Sequence, residues 1–319
     1  MKTIEWGFLI VNYLFLGGLS AGIFFVSALA TYLQENGQPA YPRIARYGAM
    51  MAPWPVAFGS FLLIFDLGNW YRFYKLFIHF RWESPMSIGS WLLLVFNGIT
   101  FLAFYAWLPE ETRHRLFAWL PKRLASLKRL DVDLSSWRRP LAMLGFPFSV
   151  GVGIYTGVLL GAVQSRPFWN TNLVAQMFLF SALSTGTAAL ILALSINKKE
   201  LDFKQVRFLY TLDICFITLE FFIVLPYLIH GELSVLAVKE ALKLILGGPY
   251  TLVFWVFFMG AGLLFPLFME LWEMKPVLLS KATIHHNKPL AALAAVLVLT
   301  GGYLLRYIFV YAGQISAFH

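Results

Sequence analysis

Asp66, Asp213, Glu220 and Arg306 each interrupt an otherwise apolar run. A charge in such a run is costly unless it is paired or reached by water, so each is a candidate for chemistry. Carboxyl groups there accept protons and pass them on, and a guanidinium holds the charge that results. Asn12, Tyr13, Asn69, Tyr155, Gln164 and Gln314 add hydrogen-bonding groups to the set. Spacing sorts them further. Asp66, Asn69 and Arg72 follow i, i+3, i+6 and share one helix face. Arg306 and Gln314, eight residues apart, are separated by roughly 12 Å along a helix and about 80° around it, so both can line one cavity. Asp213 and Glu220 lie two turns apart on nearly one face, a spacing suited to a proton relay. Two structural alternatives stand beside these readings. Asp66 pairs with Arg306 or Arg72 simply to hold helices together, or Asp213 and Glu220 are satisfied by Ser181, Ser184, Thr185 and Thr187.

The elements that position these groups must be membrane helices. The 319 residues are 59% hydrophobic and 13% charged, against about 25% charged in soluble domains. About 20 apolar residues cross a bilayer. Such runs lie near 6–33, 49–71, 87–108, 141–164, 172–196, 206–230, 248–272 and 289–312. The expected fold is one all-α integral membrane domain of eight transmembrane helices over 1–319.

Orientation follows from the basic residues. Connections after spans 1, 3, 5 and 7 carry 17 Lys and Arg, while the N-terminus and the other connections carry 7. The excess belongs in the cytoplasm, so both termini face outward. The basic loop 109–140 weighs most in this assignment. Asn12, Tyr13, Asp66, Asn69, Gln164, Arg306 and Gln314 then converge in the outer half, Tyr155 somewhat deeper, and Asp213 and Glu220 further inward. The net charge of +9 sits in short loops facing lipid headgroups, which argues against a nucleic-acid partner.

Several signals are set aside. Gly18-Leu19-Ser20-Ala21-Gly22 matches a nucleophile-elbow pattern, but that mechanism needs a strand-to-helix turn. Two glycines four apart in an apolar helix read as a packing face. Cys215 is the only cysteine, so no cysteine-ligated iron–sulfur cluster is expected in this protein. His79, His114, His230, His285, His286 and His319 all fall in loops, at span ends or at the C-terminus, so no haem is expected either. No cleavable signal peptide is expected.

Four segments resemble the polysulfide reductase membrane subunit family, NrfD/PsrC. They are Tyr13–Gly22; Ile64–Asp66 through Trp70–Phe73; Tyr155–Leu160 through Ser165–Asn170; and Leu305–Gln314. The resemblance covers nearly the whole chain. It implies a haem-free, quinone-reactive anchor of two four-helix bundles in the cytoplasmic membrane of a bacterium or archaeon. Its implied cofactor is menaquinone or another quinone. The implied partners are an extracytoplasmic ferredoxin-like subunit with four iron–sulfur clusters and a catalytic subunit carrying molybdopterin or multihaem cytochrome c. By the same resemblance Tyr155 hydrogen-bonds a quinone carbonyl, Asp66 is the titratable neighbour, and Arg306 and Gln314 belong to the site. Tyr13, beside Asn12, stands where some relatives have histidine, which leaves the second carbonyl partner open. The expected function is quinol oxidation near the outer face with electrons passed to the iron–sulfur partner, with Asp66, Glu220 and Asp213 as proton carriers. Quinone reduction in the reverse direction, a secondary transporter and a passive anchor are the alternatives.

Overall fold

The computed structural model describes residues 6–35, 37–66, 71, 73–78, 80–118, 132–196, 202–278 and 287–316. Among them, eight helices are long and apolar enough to cross a membrane. The chain is an integral membrane protein. A helix satisfies its own backbone, which is why spans in lipid take this form.

The first span is α1 (Phe8–Tyr32). A two-residue hairpin, β1 (Gln34–Glu35) with β2 (Gln38–Pro39), leads to the second span. That span is built from α2 (Pro42–Met51) and α3 (Pro53–Asp66). After the short α4 (Lys75–Ile78) come α5 (Pro85–Trp107) and the surface helix α6 (Glu110–Ala118). The fourth and fifth spans are α7 (Arg138–Gly161) and α8 (Leu173–Ile196). Then follow α9 (Phe203–Leu233) and the short α10 (Leu236–Leu242). The seventh span opens as a π-helix, Val253–Leu264, and continues as α11 (Phe265–Leu278); α12 (Lys288–Ile315) closes the fold. A π-helix of twelve residues is unusual, since such turns normally occur singly and often at functional places.

The second span differs from the stretch expected at 49–71. It begins earlier, at Pro42, and Asp66 is the last of its described residues. The reason is that α2 is amphipathic: Ile44, Ala45, Gly48 and Ala49 are buried while Arg46 is exposed. Its average hydropathy hides it. Pro42 at the first turn suits a helix start. Of the run Asp66, Asn69, Arg72, only Asp66 is described, on α3; Asn69 and Arg72 lie outside the described residues.

Spans one to four pack together, α1 against α2, α3 and α7, and α5 against α7. Spans five to eight form a second group, α8 against α9 and α12, with α12 against the π segment and α11. α8 joins the groups by packing on both α1 and α7. Small residues permit that junction. A Cβ on Gly22 would come within 1.9 Å of the Ala182 carbonyl oxygen, and one on Gly186 within 2.2 Å of the Gly22 carbonyl carbon. Backbones this close are the signature of helix association in lipid, so Gly22 belongs to packing, as its spacing indicates. Serine hydroxyls of α1 add hydrogen bonds to the second span, Ser20 to the Ala52 carbonyl at 2.5 Å and Ser27 to that of Ala45 at 2.7 Å. Outward, α3 presents Phe58, Phe61 and Phe65, all exposed. In water such a surface would be a liability; against acyl chains it is the required one.

Candidate functional site

Two buried polar systems stand among the described residues, one in each helix group. The first lies near the end that carries the termini. Tyr13 is five residues into α1, about 8 Å along the helix, and Tyr155 is six residues from the end of α7, about 9 Å. The two phenols interact, yet the Tyr13 hydroxyl receives no satisfactory hydrogen bond and is 1% exposed as a residue. A buried hydroxyl left in that state costs roughly 1–3 kcal/mol.

A glycine positions Tyr155. A Cβ on Gly89 of α5 would fall 1.7 Å from the Tyr155 Cζ and 2.0 Å from its hydroxyl. The phenol thus lies directly on the α5 backbone, in space that exists only because residue 89 has no side chain. Asn12 points another way. Its Nδ2 donates to the Phe8 carbonyl at 2.7 Å, and its side chain meets the Tyr303 hydroxyl of α12. Asp66 sits half-buried at the end of α3 and makes no hydrogen bond or ion pair among the described residues.

The second system is deeper. Arg306 is fully buried and donates to Ser181 Oγ at 2.5 Å, to the Gly302 carbonyl at 2.7 Å and to the Phe178 carbonyl at 3.3 Å. Its guanidinium also rests 5.3 Å from the Phe178 ring centre, a cation–π arrangement. Gly18 and Gly302 make room: a Cβ on either would lie 3.1 Å from a guanidinium nitrogen. The charge partner of Arg306 is Glu220, which accepts from Ser184 Oγ at 3.1 Å.

From Glu220 the carboxyl groups continue along α9 and α11. Asp213 interacts with Glu220 and faces Glu270. No donor from the rest of the protein reaches either Asp213 or Glu270 among the described residues, both buried to 2% exposure or less. All four of their oxygens stand without a hydrogen-bond partner among the described residues, and a bond between the two carboxyls would need a proton on one of them. Glu270 is followed by Glu273, which accepts from the Tyr210 hydroxyl at 2.5 Å and from the backbone of Asn287, beside the start of α12. The series runs from mid-bundle to the end opposite the termini.

These placements revise several expectations. Arg306 serves Glu220 rather than Asp66, because α8 inserts Ser181 between α12 and α9. Arg306 and Gln314 engage different partners. Gln314 instead ties the N-terminus down: its Nε2 donates to the Trp6 carbonyl at 2.8 Å, and its Oε1 accepts from the Trp6 amide at 2.7 Å. Trp6 then stacks on Trp169, ring centres 5.2 Å apart, and Trp169 donates to the Phe309 carbonyl at 2.6 Å. Gln164 lies exposed in the turn after α7, apart from the rest. Ser184 engages Glu220 as the structural alternative supposed, whereas Asp213 finds a carboxyl and no hydroxyl.

Glu270, Glu273, Tyr210 and Gly89 escape a reading of the sequence alone. Glu270 is detectable by the rule that selects Asp213, a carboxylate in an apolar run. Gly89 carries no signal, since its meaning lies in a ring from another helix. Among the described residues, no group of three or more His, Cys, Asp or Glu is arranged to hold a metal ion.

Comparison with known proteins agrees with this architecture. Residues 1–317 match the family model described as polysulphide reductase, NrfD. The sequence is 30% identical over 321 residues to Protein NrfD of Escherichia coli, covering 99% of this protein and 96% of that one. It is likewise 30% identical over 322 residues to the C subunit of polysulfide reductase from Wolinella succinogenes, covering 98% and 95%. A more distant relative, at 25% over 264 residues, is the Hdr-like menaquinol oxidoreductase integral membrane subunit of Archaeoglobus fulgidus, covering 81% of this protein and 60% of that one.

Proposed function

The chain belongs to the polysulphide reductase, NrfD family of membrane subunits of oxidoreductase complexes, and from that premise we propose that it oxidises a quinol, menaquinol in the first instance. The reaction occurs at the end that carries the termini, taken as the outer face of the cytoplasmic membrane, and the electrons go to an iron–sulfur partner subunit. The observation that carries this reading is the pair of interacting phenols, Tyr13 and Tyr155, with the Tyr13 hydroxyl buried and unsatisfied. The names of two relatives, a polysulfide reductase subunit and a menaquinol oxidoreductase subunit, point to the same class of chemistry.

Bound there, a quinol supplies two electrons and two protons. Tyr155 and Tyr13 offer hydroxyls to the ring oxygens and fix its plane. Gly89 keeps the Tyr155 phenol in place. Asp66, half-exposed beside this end, accepts a proton and releases it to water. Asn12 of α1 engages Tyr303 of α12 and leaves the ring to the two phenols. Electron transfer then requires only that the ring be held near its acceptor.

The deeper series gives the reading a second part. Glu220, Asp213, Glu270 and Glu273 carry protons between the Arg306 layer and the opposite, cytoplasmic end, which couples turnover to translocation. Arg306 fixes the charge of Glu220 at the head of that route.

The test is to purify the complex, extract its lipid phase for quinone, and follow quinol oxidation. Stoichiometric quinone that is lost on Tyr155→Phe or Asp66→Asn supports the proposal. Absence of both quinone and a redox partner overturns it and puts a secondary transporter first.

A further inference from the structure

At the end of the bundle opposite the termini, a cavity of about 390 Å³ opens between α2, α5, α6 and the start of α7. Arg46, Arg113 and Arg138 line it together with Trp107, and Asp133 and Glu110 are its acidic members. The acids are already committed. Asp133 accepts from the Ser135 amide at 2.9 Å, the Ser135 hydroxyl at 2.8 Å and Arg113 at 3.4 Å. These bonds, the Ser135 amide first, hold its carboxyl below the usual carboxylate range, so it is ionised. Glu110 faces His114 at 3.4 Å.

The two remaining guanidiniums are near enough to repel each other. Arg46 makes no hydrogen bond or ion pair among the described residues. Arg138 is oriented but not neutralised: its Nε donates to the Ala106 carbonyl at 2.8 Å, and its guanidinium lies 4.4 Å from the centre of the Trp107 ring. Asp133 attracts Arg138, though no hydrogen bond or ion pair joins the two among the described residues. Like charges held side by side over a cavity, with stacking and backbone fixing one of them, form a fork for an oxyanion.

The position of the cavity selects the source of that anion. Trp107 is the last residue of α5, Arg138 the first of α7, and Leu108 and Pro109 wall the cavity beside them. Span ends of this kind sit at headgroup level, and aromatic rings gather there. We propose that this cavity binds the phosphodiester headgroup of an anionic phospholipid, with Arg46 and Arg138 on the phosphate oxygens and the acyl chains running beside α5. The site is independent of the quinol reading, since it lies at the other end of the bundle and shares no residue with it.

The test is native mass spectrometry of the purified complex titrated with phosphatidylglycerol, phosphatidylcholine or inorganic phosphate. One phosphatidylglycerol is expected to persist where phosphatidylcholine is stripped. Arg46→Gln should weaken its retention about tenfold, the loss of one charge-assisted hydrogen bond, and Arg46→Gln with Arg138→Gln should weaken it further. Arg115→Gln removes an equal charge at an exposed position outside the cavity and should change nothing. Because Arg46 is exposed and unbonded among the described residues, its variant tests the site even where loss of Arg138 disturbs the α5–α7 contact. Equal retention of the two lipids, or unchanged retention in Arg46→Gln, overturns the proposal. Binding of inorganic phosphate without preference for phosphatidylglycerol overturns the lipid source.

Discussion

Gly89→Ala is expected to disable quinol oxidation while leaving the protein folded. The added Cβ would stand 1.7 Å from the Tyr155 Cζ, where ordinary contact begins at 3.4 Å, so the tip of the ring must retreat by about 1.7 Å. That tip is the far end of a side chain, free to swing about its χ angles. The strain therefore falls at the low end of the roughly 1–3 kcal/mol typical of overpacking. The functional cost is larger, because a misplacement of about 1 Å in a positioning group costs on the order of 10²-fold in rate. The assay is oxidation of a soluble menaquinol analogue by the purified complex with an artificial acceptor, run beside thermal unfolding and subunit stoichiometry. The expected result is a rate lower by about two orders of magnitude, with melting nearly unchanged. In the Tyr155→Phe background, Gly89→Ala should add little, since the hydroxyl it displaces is already gone. Full turnover in Gly89→Ala with an intact complex would refute the assignment of Tyr155 to the ring.

Four further outcomes follow from the same geometry. Asp66→Asn should depress quinol oxidation at least tenfold with assembly intact, and undiminished turnover removes Asp66 from the proton path. Glu270→Gln should lower the number of protons moved per electron, read in proteoliposomes with a pH-sensitive dye; an unchanged ratio excludes the carboxyl series. Arg306→Ala strips Glu220 of its charge partner and leaves Ser181 and two carbonyls without their donor, a loss of about 3–5 kcal/mol that denaturation of the complex would detect. Gln314→Ala breaks both bonds to Trp6 at a cost of roughly 1–2 kcal/mol, and limited proteolysis should then cleave near the N-terminus faster than in the unaltered protein.

Much of the fold is legible because lipid imposes a single rule. Length and hydropathy mark the eight crossings, and loop charge suggests their direction. That rule fails at 42–51, where a helix offsets its polar face by burying Ile44, Ala45, Gly48 and Ala49 against the bundle. An average over such a segment is near neutral and reads as loop. Partner choice is less legible still. Asp66, Glu220 and Arg306 are all visible as intramembrane charges, but which of them meet depends on which helices adjoin. Ser181 of α8, standing between α12 and α9, settles that in favour of Glu220.

That same helix bears on how the two polar systems relate. Gly186 of α8 meets Gly22 of α1 with no side chain between them, so the two helices cannot shift independently at that crossing. Within about one and a half turns of Gly186 on α8, Ser181 and Ser184 hold Arg306 and Glu220. Arg306 in turn fits against Gly18 of α1, less than two turns from Tyr13. On the proposed reading, a displacement of α1 by a quinone ring at Tyr13 would meet the guanidinium that interacts with Glu220, the first carboxyl of the inward series. In a close-packed interior such a shift is transmitted rather than absorbed. Coupling between the phenol pair and the carboxyls thus requires no continuous wire of polar groups, only the rigid contact that glycines allow between α1 and α8.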